Sequence, residues 1–406
     1  MTGAMYAAIA GLKTHMSKLN VIGNNIANVN TNGYKSQRTI FKDAMYTMYS
    51  SGSDGTTTTG GKNPSQVGYG SQISSIDLNM STGSYAPGTA LDCMIYGDGF
   101  FLVGDKTIAD VIDPLDPTSV KSLKMTRVGD FSFMADGYLC DGNGSTVYGF
   151  LTTGVDPITG NPIVSDQLVP IRLPKMETVY RNADGEIIAK ADYEALDAEE
   201  KEACTIQQEV KFPVDKTDDD AYTTLKDYIP EAADGQEPAD LPFITMDSVS
   251  INPETGAITG TTKDTGELIT IGFLALGNVT NPNGVTHDGG FYYTAGEGAG
   301  DLQVSLLGGV AKDLGITSVN GSLYEAAKTA AIAAGENIDA NTTQSEKMII
   351  GSAGGTNLMT GGLEGSNVDL AAEISELITT QRGYQANTRI ITVTDSMLEE
   401  LVNMKR

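Results

Sequence analysis

Any chemistry in this chain has to come from few residues. His15 and His287 are its only imidazoles. A nucleophilic triad needs one of them beside an activated Ser or Cys and an orienting carboxylate. His15 falls in a periodic helical stretch beside its apolar face, and nothing near His287 in sequence supplies the missing roles. Cys93, Cys140 and Cys204 are far apart and form no CxxC pair, so neither a zinc site nor a redox motif is expected. Cys204 stands near Lys201, but no further residue there supports a covalent link between chains. Asp218, Asp219 and Asp220 offer oxygen ligands for calcium. An EF-hand loop also needs Gly at its sixth position and Glu at its twelfth, and no such loop starts at Asp215 or Asp218. Gly97-Asp98-Gly99 is not followed by the Lys-Ser/Thr of a phosphate-binding loop and reads as a tight turn. The expectation is a protein that is not an enzyme, with no catalytic residue, no metal and no cofactor.

With chemistry set aside, charge shows how the 406 residues are organised. The formal net charge is −26. Half of it lies between Glu177 and Asp240, where 19 acidic residues face 6 basic ones. Residues 1–50 and 366–406 together hold 9 basic and 7 acidic residues. Such a chain has no means of neutralising a phosphate backbone, which excludes nucleic acid as a partner. No run of about 18 apolar residues is present, so no membrane insertion is expected. The N-terminus, MTGAMYAAIAGLKTHMSKLN, lacks a basic segment followed by a continuous apolar one, so no cleaved signal peptide is expected. A solvated acidic middle and near-neutral ends imply that the ends are the part to be buried.

Periodicity agrees. Met5, Ile9, Leu12, Met16, Leu19, Gly23 and Ile26 alternate by four and three, a heptad seam on one helix face. Near the other end Leu370, Leu377, Tyr384, Ile391 and Leu398 recur every seven residues. The alternate positions read there are Ile374, Gln381, Thr388, Asp395 and Val402, three of them polar. Ser366 followed by Asp369 has capping-box spacing, and Lys405 and Arg406 suit a helix C-terminus. An asparagine cluster, Asn24, Asn25, Asn28, Asn30 and Asn32, followed by Gly33, ends the first helix. Between the ends lie a Gly/Ser/Thr-rich stretch over 50–70 and short strand-like runs: GDGFFLVG (97–104), VGDFSFMADGYLC (128–140) with an Asp136-Gly137 turn, STVYGFL (145–151), the hairpin-like VSINPETGAITGTT (249–262), and ITIGFLALGNV (269–279) as one buried strand. Residues 321–340 are Ala-rich and predict a helix.

The fold class expected is multidomain α+β, with terminal α-helices paired in a coiled-coil-like layer and mainly β middle domains. Residues 1–35 and 366–406 form the terminal helical domain. Residues 36–70 are a linker or extended arm. Residues 71–150 and 269–365 form a central β-rich domain, with an Ala-rich helical insertion at about 306–350. Residues 151–268 form an outer acidic β-rich domain. Three classes of function remain open: a self-assembling structural subunit, a secreted surface adhesin using the acidic middle, and a hydrolase working with paired carboxylates there. Two matched end helices favour the first, with the assembly contacts on Met5, Ile9, Leu12, Met16, Leu19, Ile26, Asn24, Asn25 and Asn28 at one end. At the other end they fall on Leu370, Ile374, Leu377, Gln381, Tyr384, Ile391 and Leu398.

LNVIGNNIANVNTNGYKSQRTIF (19–41), TRVGDFSFMADGYL (126–139), LGNVTNPNGVTHDGGFYYTAGEGAG (276–300) and the stretch 362–403, in this order, resemble the bacterial flagellar hook and rod axial family, its hook members most closely. The resemblance covers about half of the chain. It implies a homopolymer in concentric layers, with paired terminal helices innermost around an export channel, the β-domain next and the 151–268 insertion outward. It implies a curved, flexible tube that passes motor torque to a filament, located in the hook and basal body outside the cell. The partners implied are the distal rod protein, the hook cap, the hook-filament junction proteins and the flagellar type III export apparatus. Within the family the alternative is the distal rod or a related axial basal-body protein. The stretch 301–355 is longer than the family pattern, and 177–240 matches none of it.

Overall fold

Antiparallel pairing of the two chain ends organises the first of two units, residues 1–84 with 365–406; the second is residues 85–364. The computed structural model describes residues 2–106, 112, 117–155, 162–165, 168–182, 187–188, 190–197, 200–201, 204–212, 242–263, 266–305 and 357–404. The Ala-rich stretch 321–340, the Asp218–Asp220 run, Lys405 and Arg406 lie outside the described residues.

In the first unit, α1 is Thr2–Ala27 and α2 is Leu370–Met404. At 1.5 Å per residue they are about 39 and 52 Å long. α1 ends where the asparagines begin. Asn28 donates from its backbone to the Asn24 carbonyl at 3.2 Å and from Nδ2 to the same oxygen at 2.9 Å, and Gly33 takes φ 69° to complete the turn. The start of α2 differs from expectation. Asp369 is the cap, its Oδ1 accepting from the N–H of Ala371 (2.9 Å) and Ala372 (3.2 Å). Ser366, expected as the cap, instead accepts from Val368 N–H at 3.3 Å in the approach to the helix.

The stretch read as a linker or arm supplies three of the four strands of a long β-ribbon. β1 (Gln37–Asp43) pairs antiparallel with β4 (Ser71–Leu78), and β2 (Tyr46–Ser50) with β3 (Ser65–Gly68). Bonds from Ala44 N–H to Gly70 O and from Tyr69 N–H to Met45 O join the two ladders. Residues 71–84, expected with the β-rich domain, thus group with the helices, β4 pairing with β1. The ribbon lies on α1 through small residues. Gly70, at φ 107°, leaves only enough room for a Cβ at 2.9 Å from Ala10 Cβ, and Thr14 Oγ1 meets Ser71 Oγ at 3.1 Å.

The second unit is an antiparallel sheet. At its centre β11 (Thr146–Val155) pairs with β7 (Phe100–Gly104) and with strand Leu268–Leu274. β7 also pairs with β8 (Lys124–Thr126), which continues the sheet to Tyr292–Ala295 and Val285–His287. On the other side Leu268–Leu274 leads to the hairpin Ala257–Thr262 and Met246–Ile251. The hairpin of β9 (Phe131–Phe133) and β10 (Leu139–Asp141) turns at Asp136-Gly137, with Gly137 at φ 77°. Phe100, Phe101, Leu102, Val103, Met125, Phe131, Phe150 and Phe273 fill the core, each about 2–3 kcal/mol of burial. The stretch 269–279 is buried as expected but is two strands. Leu268–Leu274 pairs β11, and after Ala275 the chain steps over, so that Leu276–Val279 pairs β7.

The unit is closed where the chain enters and leaves it. β5 (Tyr85–Pro87) pairs Gly362–Glu364, and β6 (Cys93–Tyr96) pairs Asn357–Thr360. Arg127, fully buried, donates to Gly97 O at 2.8 Å and pairs with the buried Glu364 at 3.6 Å. Burial pushes its pKa down, and the Glu364 carboxylate opposes that.

Candidate functional site

The two terminal helices cross-link at a constant register. Gly11 lies against Asn387, His15 against Gly383, Lys18 pairs with Glu376, and Asn25 donates to Glu373 at 2.9 Å. Residue numbers fall on one helix as they rise on the other, so the pair is antiparallel. On this register α1 is spanned by about residues 371–396 of α2, and 397–404 run on beyond its start.

The α1 residues that make these contacts, Gly11, His15, Lys18 and Asn25, are small or polar. Buried or half-buried in phase with the contacts are Ala8 and Ile22 on α1 and Glu373, Leu377, Thr380, Tyr384, Asn387, Ile391, Thr394 and Leu398 on α2, the α2 positions alternating polar and apolar. The α2 seam therefore keeps the sevenfold series read from sequence, from Leu377 on. Its alternate positions lie one residue earlier than Ile374, Gln381, Thr388 and Asp395. On α1 the whole seam lies one residue before the series Ile9, Leu12, Met16, Leu19, Gly23, Ile26, a turn of 100° around the axis. The reason is close approach. A Cβ on Gly11 would stand 2.7 Å from Asn387 Nδ2, and one on Gly383 would stand 2.9 Å from His15 Cε1. Large apolar side chains at those positions would hold the helices apart. Buried Thr394 satisfies its hydroxyl on its own helix, donating to Ile390 O at 2.7 Å.

The apolar series on α1 is thereby turned away from the contacts made by Gly11, His15, Lys18 and Asn25. Met16 is 48% exposed, and Met5, Ile9, Leu12, Leu19 and Ile26 are half-buried. On α2, Leu370, Ile374 and Gln381 are exposed, as are Ile378, Ile390, Val393, Met397 and Leu401. Monomeric proteins rarely leave such continuous apolar stripes open.

Asn25 plays a part that its sequence context did not show. It is buried, and its amide makes four hydrogen bonds. Nδ2 donates to Gln37 O (2.9 Å) and Glu373 Oε1 (2.9 Å), while Oδ1 accepts from Gln37 N–H (3.0 Å) and Tyr34 OH (3.0 Å). It joins the end of α1, the turn, β1 and the first turn of α2. Asn24 is exposed and donates to Tyr34 OH at 3.1 Å; Asn28 closes the helix. Burial, with Glu373 second, pushes the Tyr34 phenol up to about 12. Burial also raises the Glu373 carboxyl, the bond from Asn25 opposing it. Asn367 is a second clasp, accepting from Ser36 N–H at 2.7 Å and donating to Asn79 O and Ser81 O. Sequence reasoning missed Tyr34, Glu373 and Asn367; a buried-side polar residue on an amphipathic helix was the available signal for Glu373.

Among the described residues no group of three His, Cys, Asp or Glu side chains could hold a metal, and no helix is long and apolar enough to cross a membrane.

A chain whose two ends fold into one helical unit, with a β-rich middle between them in sequence and apolar side chains exposed along its helices, is built for assembly. Known proteins agree. A family model described as "Flagella basal body rod protein" matches residues 5–35, and "Flagellar basal body rod FlgEFG protein C-terminal" matches 359–404. The flagellar hook protein FlgE of Borreliella burgdorferi is 26% identical over all of both chains. FlgE of Salmonella typhimurium is 28% identical over 98% of this chain and 99% of its own. The flagellar basal-body rod protein FlgG of Bacillus subtilis is 26% identical over all of both chains. The solved Helicobacter pylori hook protein FlgE2 shares 11% identity over 54% of this chain and 96% of its own at a TM-score of 0.29, too distant to argue from. Over its whole length the chain is thus similar to flagellar hook and rod axial proteins, which are structural components and not enzymes.

Proposed function

We propose that this chain is the repeating subunit of the flagellar hook, polymerising into a curved tube that couples the motor to the filament. The observation that carries the reading is the stripe Met5, Ile9, Leu12, Met16 and Leu19 on α1, which is one residue out of phase with the contacts to α2 and keeps Met16 exposed and the other four half-buried. Covering these half-exposed side chains with another copy supplies about 1 kcal/mol each, enough to drive a repeated contact without locking it. Hook relatives from Borreliella burgdorferi, Treponema pallidum and Salmonella typhimurium, each matched along its full length, support the hook reading. In this reading the chain meets the distal rod protein at one end of the tube and the junction proteins at the other, grows beneath the hook cap, and reaches the outside through the flagellar type III export apparatus without a cleaved signal. The domain layering expected from sequence, with 151–268 outermost, belongs to the same proposal. The Bacillus subtilis rod relative, matched equally fully, supports a second reading as a distal rod subunit.

Electron microscopy of the purified full-length chain separates them. Curved tubes are expected, from the full chain and not from one lacking 1–30 and 366–406. Straight tubes would assign it to the rod. An Ile9→Glu, Met16→Glu variant should keep its helical circular dichroism and form no tubes; tubes from that variant would refute the stripe as the contact.

A further inference from the structure

His15 sits where α1, α2 and β1 meet. A register shift between Ile40 and Phe41 marks a bulge in β1, and the Phe41 ring meets the imidazole edge-on with centroids 6.1 Å apart. On the other side the imidazole lies against α2 at Gly383, where even a methyl group would stand 2.9 Å from Cε1 and 3.0 Å from Nε2. Nδ1 is sealed from solvent and makes no hydrogen bond. Lys18, one turn further on the same helix, is the cationic neighbour. Its ammonium lies 5.6 Å from the centre of the Phe41 ring and pairs with Glu376 of α2. β1 offers the imidazole only the uncharged Phe41, and the α2 carboxylate in reach is engaged by Lys18.

This site tolerates one protonation state. A neutral imidazole can leave Nδ1 as a bare acceptor, whereas imidazolium carries N–H on both nitrogens. Protonation would place a donor at Nδ1 with nothing to receive it and a second cation beside Lys18. We propose that His15 is an acid-sensitive latch: protonation expels its side chain from between Phe41 and Gly383 and uncouples α2 from α1. The direction of its titration agrees, since burial, with Lys18 second, lowers the pKa from 6.5. The sign follows. Above 6.5 the imidazole is neutral whether the pair is closed or open, and the pair keeps its full stability. As pH falls below 6.5 the open form takes the proton first, and stability is lost until the lower midpoint of the closed form is passed.

The chain's two histidines make the test direct. Proton NMR of the full chain gives two Cε1–H titrations, assigned with His287→Gln, a change in the other unit. The His15 signal should titrate with a midpoint below 6.5. Helical circular dichroism of the wild type should fall across the same range, while His15→Gln, similar in reach and unable to titrate, keeps its helix through it. A His15 midpoint at or above 6.5 would overturn the proposal, as would loss of helix at the same pH in both proteins. If His15→Gln lacks helix even at pH 8, the wild-type midpoint alone decides.

Discussion

Replacing Asn25 by Asp changes one NH₂ into an oxygen at constant shape and reverses two of its four hydrogen bonds. In the native clasp Nδ2 stands 2.9 Å from Gln37 O and 2.9 Å from Glu373 Oε1. An oxygen there faces a carbonyl and a carboxylate, both acceptors. Losing two donated bonds, one of them to a charged group, and gaining a repulsion costs about 3–5 kcal/mol. Glu373→Gln alone should change stability by less than about 0.5 kcal/mol, since its carbonyl still accepts from Asn25 and a buried charge is removed. When Glu373→Gln is combined with Asn25→Asp, the introduced amide can donate to the introduced carboxylate, returning about 1.5–3 kcal/mol. The assay is urea unfolding at pH 7.5 followed by the helical signal, which reports the terminal pair. The four proteins should share one slope and differ in midpoint, with a coupling of about 2 kcal/mol. Additivity within about 0.5 kcal/mol would show that Asn25 and Glu373 do not act on each other and would refute the clasp.

Three further outcomes follow from close contacts. Gly383→Ala presses on an imidazole pinned by Phe41 and should cost about 1–2 kcal/mol, whereas Gly11→Ala meets the free end of the Asn387 amide and should cost less than about 1; equal losses in thermal unfolding would contradict the pinned imidazole. In the second unit a Cβ at Gly129 would lie 1.9 Å from the Cys93 carbonyl oxygen, so Gly129→Ala should destabilise that unit by roughly 3 kcal/mol or more, read as a fall in its melting temperature. Arg127→Ala removes the buried guanidinium that faces the buried Glu364 and should cost about 3–5 kcal/mol, while Arg127→Met with Glu364→Leu should recover most of it; failure to recover would show that the pair is more than a local charge balance.

Much of this architecture was legible in the sequence because it rests on local signals. Alternating apolar spacing marked both helices, Asp136-Gly137 marked its hairpin, and the asparagine run marked the end of α1. The seam was legible only in period, not in phase. Heptad reading assigns the most apolar stripe to the nearest partner, but here Gly11 and Gly383 permit a close approach in which α1 meets α2 through Gly11, His15, Lys18 and Asn25, one residue out of phase with its apolar stripe. Asn25 was visible as a helix terminator; its burial was not, since its partners Gln37 and Glu373 come from β1 and α2. The break at Ala275 was invisible because both halves are equally apolar and only their partners differ. Ser366 was read as the cap because it precedes an acidic residue, whereas Asp369 itself holds the free N–H groups.

The Asn25–Glu373 bond spans 348 residues of chain. Contacts closed across so much sequence form late, because the loop between them must be ordered or its closure entropy overcome. The second unit also closes over long separations, β6 with Asn357–Thr360 and β11 with Leu268–Leu274, but its strands all lie before residue 365 and can pair before α2 is present. A chain delivered end-first would therefore carry a folded middle and two unmatched ends until its last forty residues arrived. Until then no helix pair exists and the outward stripe of α1 has no rigid support. Completion of the chain thus acts as a timing device for the helix pair: on the proposed hook function, a truncated chain would lack the paired surface and only a finished one could be added.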